Sequence, residues 1–145
     1  MMTLLELRNL AKDLADMRNS QFVTDPEWNV YINTFYKEVY DALVTSSEDY
    51  FTKSFSFSLG NTNTQALPAD FYKARSLELQ VAGPRFESLS YLPFEERNDT
   101  LTLRYRLVNG NIVLYPEDGA HNKSYRLWYI PKVAPLSADT QPTVD

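Results

Sequence analysis

A chain of 145 residues is long enough to bury one substantial core and is read as a single domain. Its formal charge of −5 argues against broad affinity for phosphate backbones, which takes clustered cations, and the lack of cysteine excludes a disulfide framework and thiolate chemistry. With 43% hydrophobic and 23% charged residues and ten Tyr, eight Phe and two Trp, the chain has a globular, aromatic-rich composition, so disorder is not expected. Glu6, Arg8, Lys12 and Asp13 break any signal-peptide core near the N-terminus. No later stretch reads as long and apolar enough to span a bilayer.

Thr3 and Glu6 have the spacing of a capping box, and Leu7, Leu10, Ala11 and Leu14 recur at helical spacing, which predicts an amphipathic helix over residues 4–18. A short turn at residues 19–23 leads to Thr24-Asp25-Pro26-Glu27, a second helix start with proline near the first helical position. This helix is expected to reach about Val44. Trp28, Tyr31, Ile32, Phe35, Val39 and Leu43 form its apolar stripe, with Tyr36 and Tyr40 beside it, and Trp28, Tyr31 and Phe35 are read as core. So short a connection should set the two helices antiparallel or crossed.

Phe55, Phe57 and Leu59 alternate with Ser56 and Ser58, predicting a strand over residues 53–59 followed by a turn or mobile loop at residues 60–64. Leu67-Pro68-Ala69-Asp70 is read as a helical turn that leads into a strand near Leu77, Leu79 and Val81, ending at Gly83-Pro84. Residues 93–97 are expected to form a further single helical turn. There is no internal repeat.

The stretch LTLRYRLVNGNIVLYPEDGAHNKSYRLWYIP is the most legible. Leu101, Leu103, Tyr105 and Leu107 alternate with Thr102, Arg104 and Arg106, and Asn109-Gly110 supplies the two positive-φ positions of a type I′ turn. That turn pairs Val108 with Asn111, Leu107 with Ile112, Arg106 with Val113 and Tyr105 with Leu114. A third strand, residues 125–130, is expected to return after a loop at residues 117–123 and complete a three-stranded antiparallel meander, ending at Pro131.

Catalysis finds little support. One histidine and no cysteine leave only His121 for a Ser-His-Asp arrangement, and it sits in a loop with no nucleophile motif in the chain, so it is read as a plain loop residue. A histidine-rich zinc site is excluded by count. Glu95-Glu96 and Glu117-Asp118 are acidic pairs, but neighbours in sequence usually diverge in space, and both are read as solvated. The four glycines are too scattered for a phosphate-cradling loop. No enzyme activity and no cofactor or metal are expected.

Strand alternation puts Arg104 and Arg106 on one face, and Arg126 and Trp128 on the parity opposite Tyr125, Leu127 and Tyr129. An arginine-bearing sheet face can be plainly solvated, can pair with carboxylates of a neighbouring subunit, or can stack nucleic-acid bases. Trp128 either packs under the helices or stands exposed as an interface anchor. The residues selected as a candidate subunit interface are Arg104, Arg106, Arg126 and Trp128.

Beyond these local readings, the chain resembles the small head-to-tail connector, or adaptor, proteins of tailed bacteriophages. The resemblance runs in order over about residues 24–136: Trp28, Tyr31 and Ile32 leading to Glu38-Val39-Tyr40-Asp41, then LPADFYKARSLEL, Phe94-Glu95-Glu96-Arg97, NGNIVLYP, and YRLWYIP followed by Pro135-Leu136. It implies a structural virion protein, made in the host bacterial cytoplasm and placed at the head-tail junction. There it would bind the portal protein and tail or neck proteins, and close into a homo-oligomeric ring of about twelve copies. DNA would pass through the channel without specific binding, and no membrane is involved. In the relatives one or more helices follow the YIP strand. Here a polar run occupies residues 137–145, so the chain is expected either to lack that element or to be truncated before it.

The expectation for fold is therefore α+β: an N-terminal helix pair packed on a mainly antiparallel sheet that contains the meander, within one connector-like domain of residues 1–136. The alternative function is a small binding module that uses exposed Tyr and Trp to bind a glycan or peptide.

Overall fold

Two capping devices start the helices where the sequence places them. In the computed structural model, which describes residues 2–98 and 101–137, helix α1 (Leu4–Leu14) opens on a reciprocal box. The Thr3 hydroxyl accepts from the Glu6 N–H at 3.3 Å, and the Glu6 carboxylate accepts from the Thr3 N–H at 2.7 Å. Helix α2 (Asp25–Ser46) repeats the arrangement, with the Glu27 carboxylate accepting from both the N–H and the hydroxyl of Thr24 at 2.8 Å. These bonds hold the Glu6 and Glu27 carboxyls below the ordinary glutamate range.

Helix α1 ends four residues before the expected Arg18. Asp16 takes a left-handed backbone (φ 54°), and the N–H groups of Asp16 and Met17 bond back to the carbonyls of Asp13 (3.1 Å) and Lys12 (2.8 Å). This is a Schellman termination. It was hidden because an aspartate, not the usual glycine, occupies the left-handed position.

The chain forms two compact units, one holding both helices up to Ser47 together with the segment from Val133, the other Glu48–Lys132. In the helical unit, Arg8 donates to Asn29 at 3.1 Å and Lys12 pairs with Asp25. Contacts that advance along α1 thus retreat along α2, so the helices run antiparallel, as expected. The returning segment is tied to α2 through Asn33 and Leu136. The expected polar tail, residues 137–145, lies outside the described residues from 138 onward. No described helix is long and apolar enough to cross a membrane.

The second unit is built of antiparallel strands. After a short 3-10 turn (Glu48–Phe51) come β1 (Lys53–Leu59), β2 (Thr64–Ala66), β3 (Phe71–Ala82) and β4 (Arg85–Leu89). A second 3-10 turn (Phe94–Glu96) precedes β5 (Arg104–Val108), β6 (Asn111–Tyr115), a single helical turn α3 (Glu117–Ala120) and β7 (Lys123–Pro131). Strand β1 and the second 3-10 turn fall where the sequence puts them. The α+β class holds.

The Asn109-Gly110 turn has the predicted positive φ values of 48° and 75°. The β5–β6 register is Tyr105 with Leu114, Arg106 with Val113, Leu107 with Ile112 and Val108 with Asn111, as the turn chemistry requires.

The meander needs correction. Strand β7 does not add to β6; it lies between β1 and β3 in a four-stranded sheet ordered β1-β7-β3-β4, while β5 and β6 belong to a separate sheet ordered β2-β6-β5. The free edge of β6 is taken by β2, with Thr64 facing Val113 and Gln65 facing Ile112, and the nine-residue β7 instead matches two long partners. Residues 67–70 likewise form a turn closed by the Phe71 N–H on the Pro68 carbonyl (2.9 Å), not a helical start. Strands β2 and β4 are additions to the predicted set.

One core serves both sheets. Phe57 and Leu59 of β1, Leu77 of β3 and Tyr125, Leu127 and Tyr129 of β7 meet Tyr105 of β5, Ile112 and Leu114 of β6, and Ala120 of α3. Phe57 stacks on Tyr125 with ring centroids 5.4 Å apart. Burial pushes the Tyr125 hydroxyl up to about 12, and it donates to the Ala120 carbonyl at 3.0 Å. Tyr129 is also pushed up to about 12, by burial and then by its hydrogen bond to Asp70.

Candidate functional site

The helical unit exposes the stripe that was expected to be core. Tyr31, Phe35 and Val39 are 53%, 65% and 55% exposed, and they line an apolar groove of about 500 Å³ whose other wall is Leu7, Leu10 and Leu14 of α1. Helix α1, eleven residues of about 16 Å against about 33 Å for the twenty-two of α2, runs beside the N-terminal half of α2, so Val39 lies past its start, while Tyr31 stands open beside it. The buried positions of α2 are Tyr40 and Val44 on a different face. A contiguous exposed apolar surface of this kind marks an interaction site.

The four arginine and tryptophan residues selected from sequence fall into two groups on two sheets. Arg126 and Trp128 point to the outer face of the four-stranded sheet and converge on Glu78, which stands directly across from Arg126 on β3. The Glu78 Oε2 accepts from Arg126 Nε (2.9 Å) and from Trp128 Nε1 (3.0 Å). The Arg126 guanidinium also lies 3.8 Å from the Phe86 ring centroid and 5.0 Å from that of Trp128. Trp128 is half-buried rather than an exposed anchor. Serines surround the cluster, with Ser58 bonded to Ser124 at 2.8 Å.

Arg104 and Arg106 lie on β5 beside the second 3-10 turn. Arg104 pairs with Glu96 at 2.5 Å and donates to the Thr102 hydroxyl at 3.1 Å, so Glu96 is not simply solvated. Arg106 sits over the Phe94 ring at 5.2 Å, and Arg97 approaches the same ring at 4.5 Å. Phe94 is 61% exposed. The Arg106 Nε is buried and has no hydrogen-bond partner among the described residues.

Sequence reasoning missed Glu78, Phe86 and Arg97 as members of these groups. Outward parity between Leu77 and Leu79 marks Glu78, but its link to Arg126 follows only once β7 is placed beside β3. His121, read as a plain loop residue, is half-buried at the end of α3, with its Nε2 enclosed and without a hydrogen-bond partner among the described residues. The Glu117 and Asp118 side chains are exposed, as expected.

The groups on these surfaces are guanidiniums, aromatic rings and apolar side chains, the residue types enriched where proteins meet one another. No match to the chain is found among curated proteins. The family model of the SU10 adaptor protein matches residues 2–145, the whole of the described chain. On this match the chain belongs to the SU10 adaptor protein family, a family of structural phage head-tail adaptors, and is a virion protein that contacts other head or tail proteins.

Proposed function

We propose that the chain is one subunit of a ring beneath the portal that joins the DNA-filled head to the tail. The observation that carries this reading, beside the family, is the exposed apolar groove of the helix pair, with Phe35 65% exposed. Such a surface is costly in water unless a partner covers it. Identical subunits close into a ring through two different surface patches when the rotation allows it, here with about twelve copies. The groove then meets the portal or a tail protein, while the sheet faces that carry Arg104, Arg106, Arg126 and Trp128 serve contacts between subunits.

The chain's net charge of −5 suits a channel that DNA crosses without adhering. Within the strand unit the exposed aromatics Tyr50, Tyr72 and Phe94 stand on three separate elements, the first 3-10 turn, β3 and the second 3-10 turn, which supports assembly over glycan binding. A sugar or peptide module would gather them in one concavity.

Deleting the gene from the phage that encodes it tests the reading. DNA-filled heads without tails are the expected product by electron microscopy. Tailed, infectious particles from the deletion would remove the adaptor junction from the account.

A further inference from the structure

Two unmatched charge pairs stand on different parts of the chain. On the second 3-10 turn and β5, the guanidiniums of Arg97 and Arg106 flank one Phe94 ring, and among the described residues neither meets a carboxylate. Arg97 spends one N–H on the Phe94 carbonyl at 3.2 Å; Arg106 keeps Nε enclosed, with no hydrogen-bond partner among the described residues. By contrast, the neighbouring Arg104 is neutralised by Glu96. Like charges held this close favour an added anion.

The opposite imbalance lies on α2. Glu38 and Asp41, three positions apart and so one above the other on the helix surface, have no cation partner among the described residues. They line a second groove with Val30, Asn33, Thr34, Lys37 and the returning Pro135, so the groove carries two carboxylates against one ammonium. Val30 is 64% exposed there.

We infer that the Arg97–Phe94–Arg106 cluster of one copy docks in the Glu38–Asp41 groove of the next copy, forming the head-to-tail contact between subunits. This rests on the ring reading above and names its interface. The match is of charge and shape: two guanidiniums meet a groove whose two carboxylates outnumber its one ammonium, Lys37, and the projecting Phe94 ring meets exposed Val30 in a groove of about 720 Å³. Arginine suits such contacts because its fork pairs bidentately with carboxylates while its plane stays on the aromatic ring. A head-to-tail ring requires two distinct complementary patches on each copy, and the chain carries them.

The absence of cysteine allows a direct test. Particles are assembled from a mixture of chains carrying Arg97→Cys and chains carrying Glu38→Cys, then oxidised and separated without reductant. The expected product is a disulfide between the two variants, in about tenfold excess over either homodimer. In parallel, Arg97→Glu should cut incorporation into particles about tenfold, and Glu38→Arg in the same chain should restore it by reversing both charges. Homodimers alone would overturn the inference, because they report a symmetric contact. So would an internal disulfide in a chain carrying both cysteines, which would place the two patches together within one copy. No cross-link in particles that hold the protein at ring stoichiometry removes this interface and leaves the ring. Absence of the wild-type protein from particles removes both.

Discussion

Asn33 and Leu136 hold each other through a closed pair of hydrogen bonds: the Asn33 carboxamide accepts from the Leu136 N–H at 2.7 Å and donates to the Leu136 carbonyl at 3.0 Å. A side chain thus imitates a strand neighbour and fixes the segment after β7 on the middle of α2, with the Leu136 side chain buried. Asn33→Ala is expected to lower stability by about 1–2 kcal/mol, the loss of two such bonds. It should also speed proteolysis at residues 133–137. Asn33→Asp should be at least as damaging, since it sets a carboxylate against the Leu136 carbonyl. Urea denaturation with timed protease digestion checks both.

Glu78 organises the outer face of the four-stranded sheet. Its replacement by alanine removes the acceptor of Arg126 and Trp128 together and is expected to cost about 1–3 kcal/mol, because both partners are half-buried. In a Trp28→Phe background the remaining Trp128 emission reports the change directly. A shift to longer wavelength under native conditions is the expected sign of its release from Glu78.

Exposed and buried apolar positions should separate assembly from folding. Phe35→Glu, on the open groove, should leave stability within about 0.5 kcal/mol and abolish incorporation into particles. Leu127→Ala, at a fully buried site shared by both sheets, should cost about 2–5 kcal/mol. Thermal unfolding of the purified variants, set beside their abundance in particles, distinguishes the two effects.

The Asp70–Tyr129 bond of 2.8 Å gives the stability a defined pH dependence. Tyr129 and Tyr125 are raised from 10.0 to about 12 in the folded chain, so between those values the unfolded chain releases protons that the folded chain keeps. Their contribution is fully present below 10.0 and is lost as pH rises toward 12. At the acid end the Tyr129 hydroxyl, then Lys53, hold Asp70 below its ordinary value of 3.8. That contribution is present above 3.8 and fades as pH falls below it. Tyr129→Phe should cost about 1 kcal/mol at neutral pH and flatten both limbs of a urea-midpoint against pH curve.

Local devices were legible in the sequence because each is satisfied within a few residues. The Thr3–Glu6 and Thr24–Glu27 boxes and the Asn109-Gly110 turn need no information from elsewhere in the chain, and the turn fixed the register of every pair between Tyr105 and Leu114. Strand β7 shows the limit. Its alternation separates Tyr125, Leu127 and Tyr129, which the structure buries, from Arg126 and Trp128, but alternation says which side chains share a face and not which strand lies alongside. The sheet that receives β7 is decided by Phe55 and Leu77, far away in sequence, which both face Leu127. Glu78 was missed for the same reason. The α2 stripe differs in another way: helical spacing identifies an apolar face, but whether Phe35 is covered depends on where α1 lies along α2, which local spacing does not carry.

The number of copies of this protein per particle tests the central claim most directly. Quantitative mass spectrometry of purified virions, calibrated on the portal and the major capsid protein, should give about twelve copies, one closed ring at the single head-tail junction. A count matching the capsid or tail-tube lattice, or no protein in the particle, would contradict a ring beneath the portal.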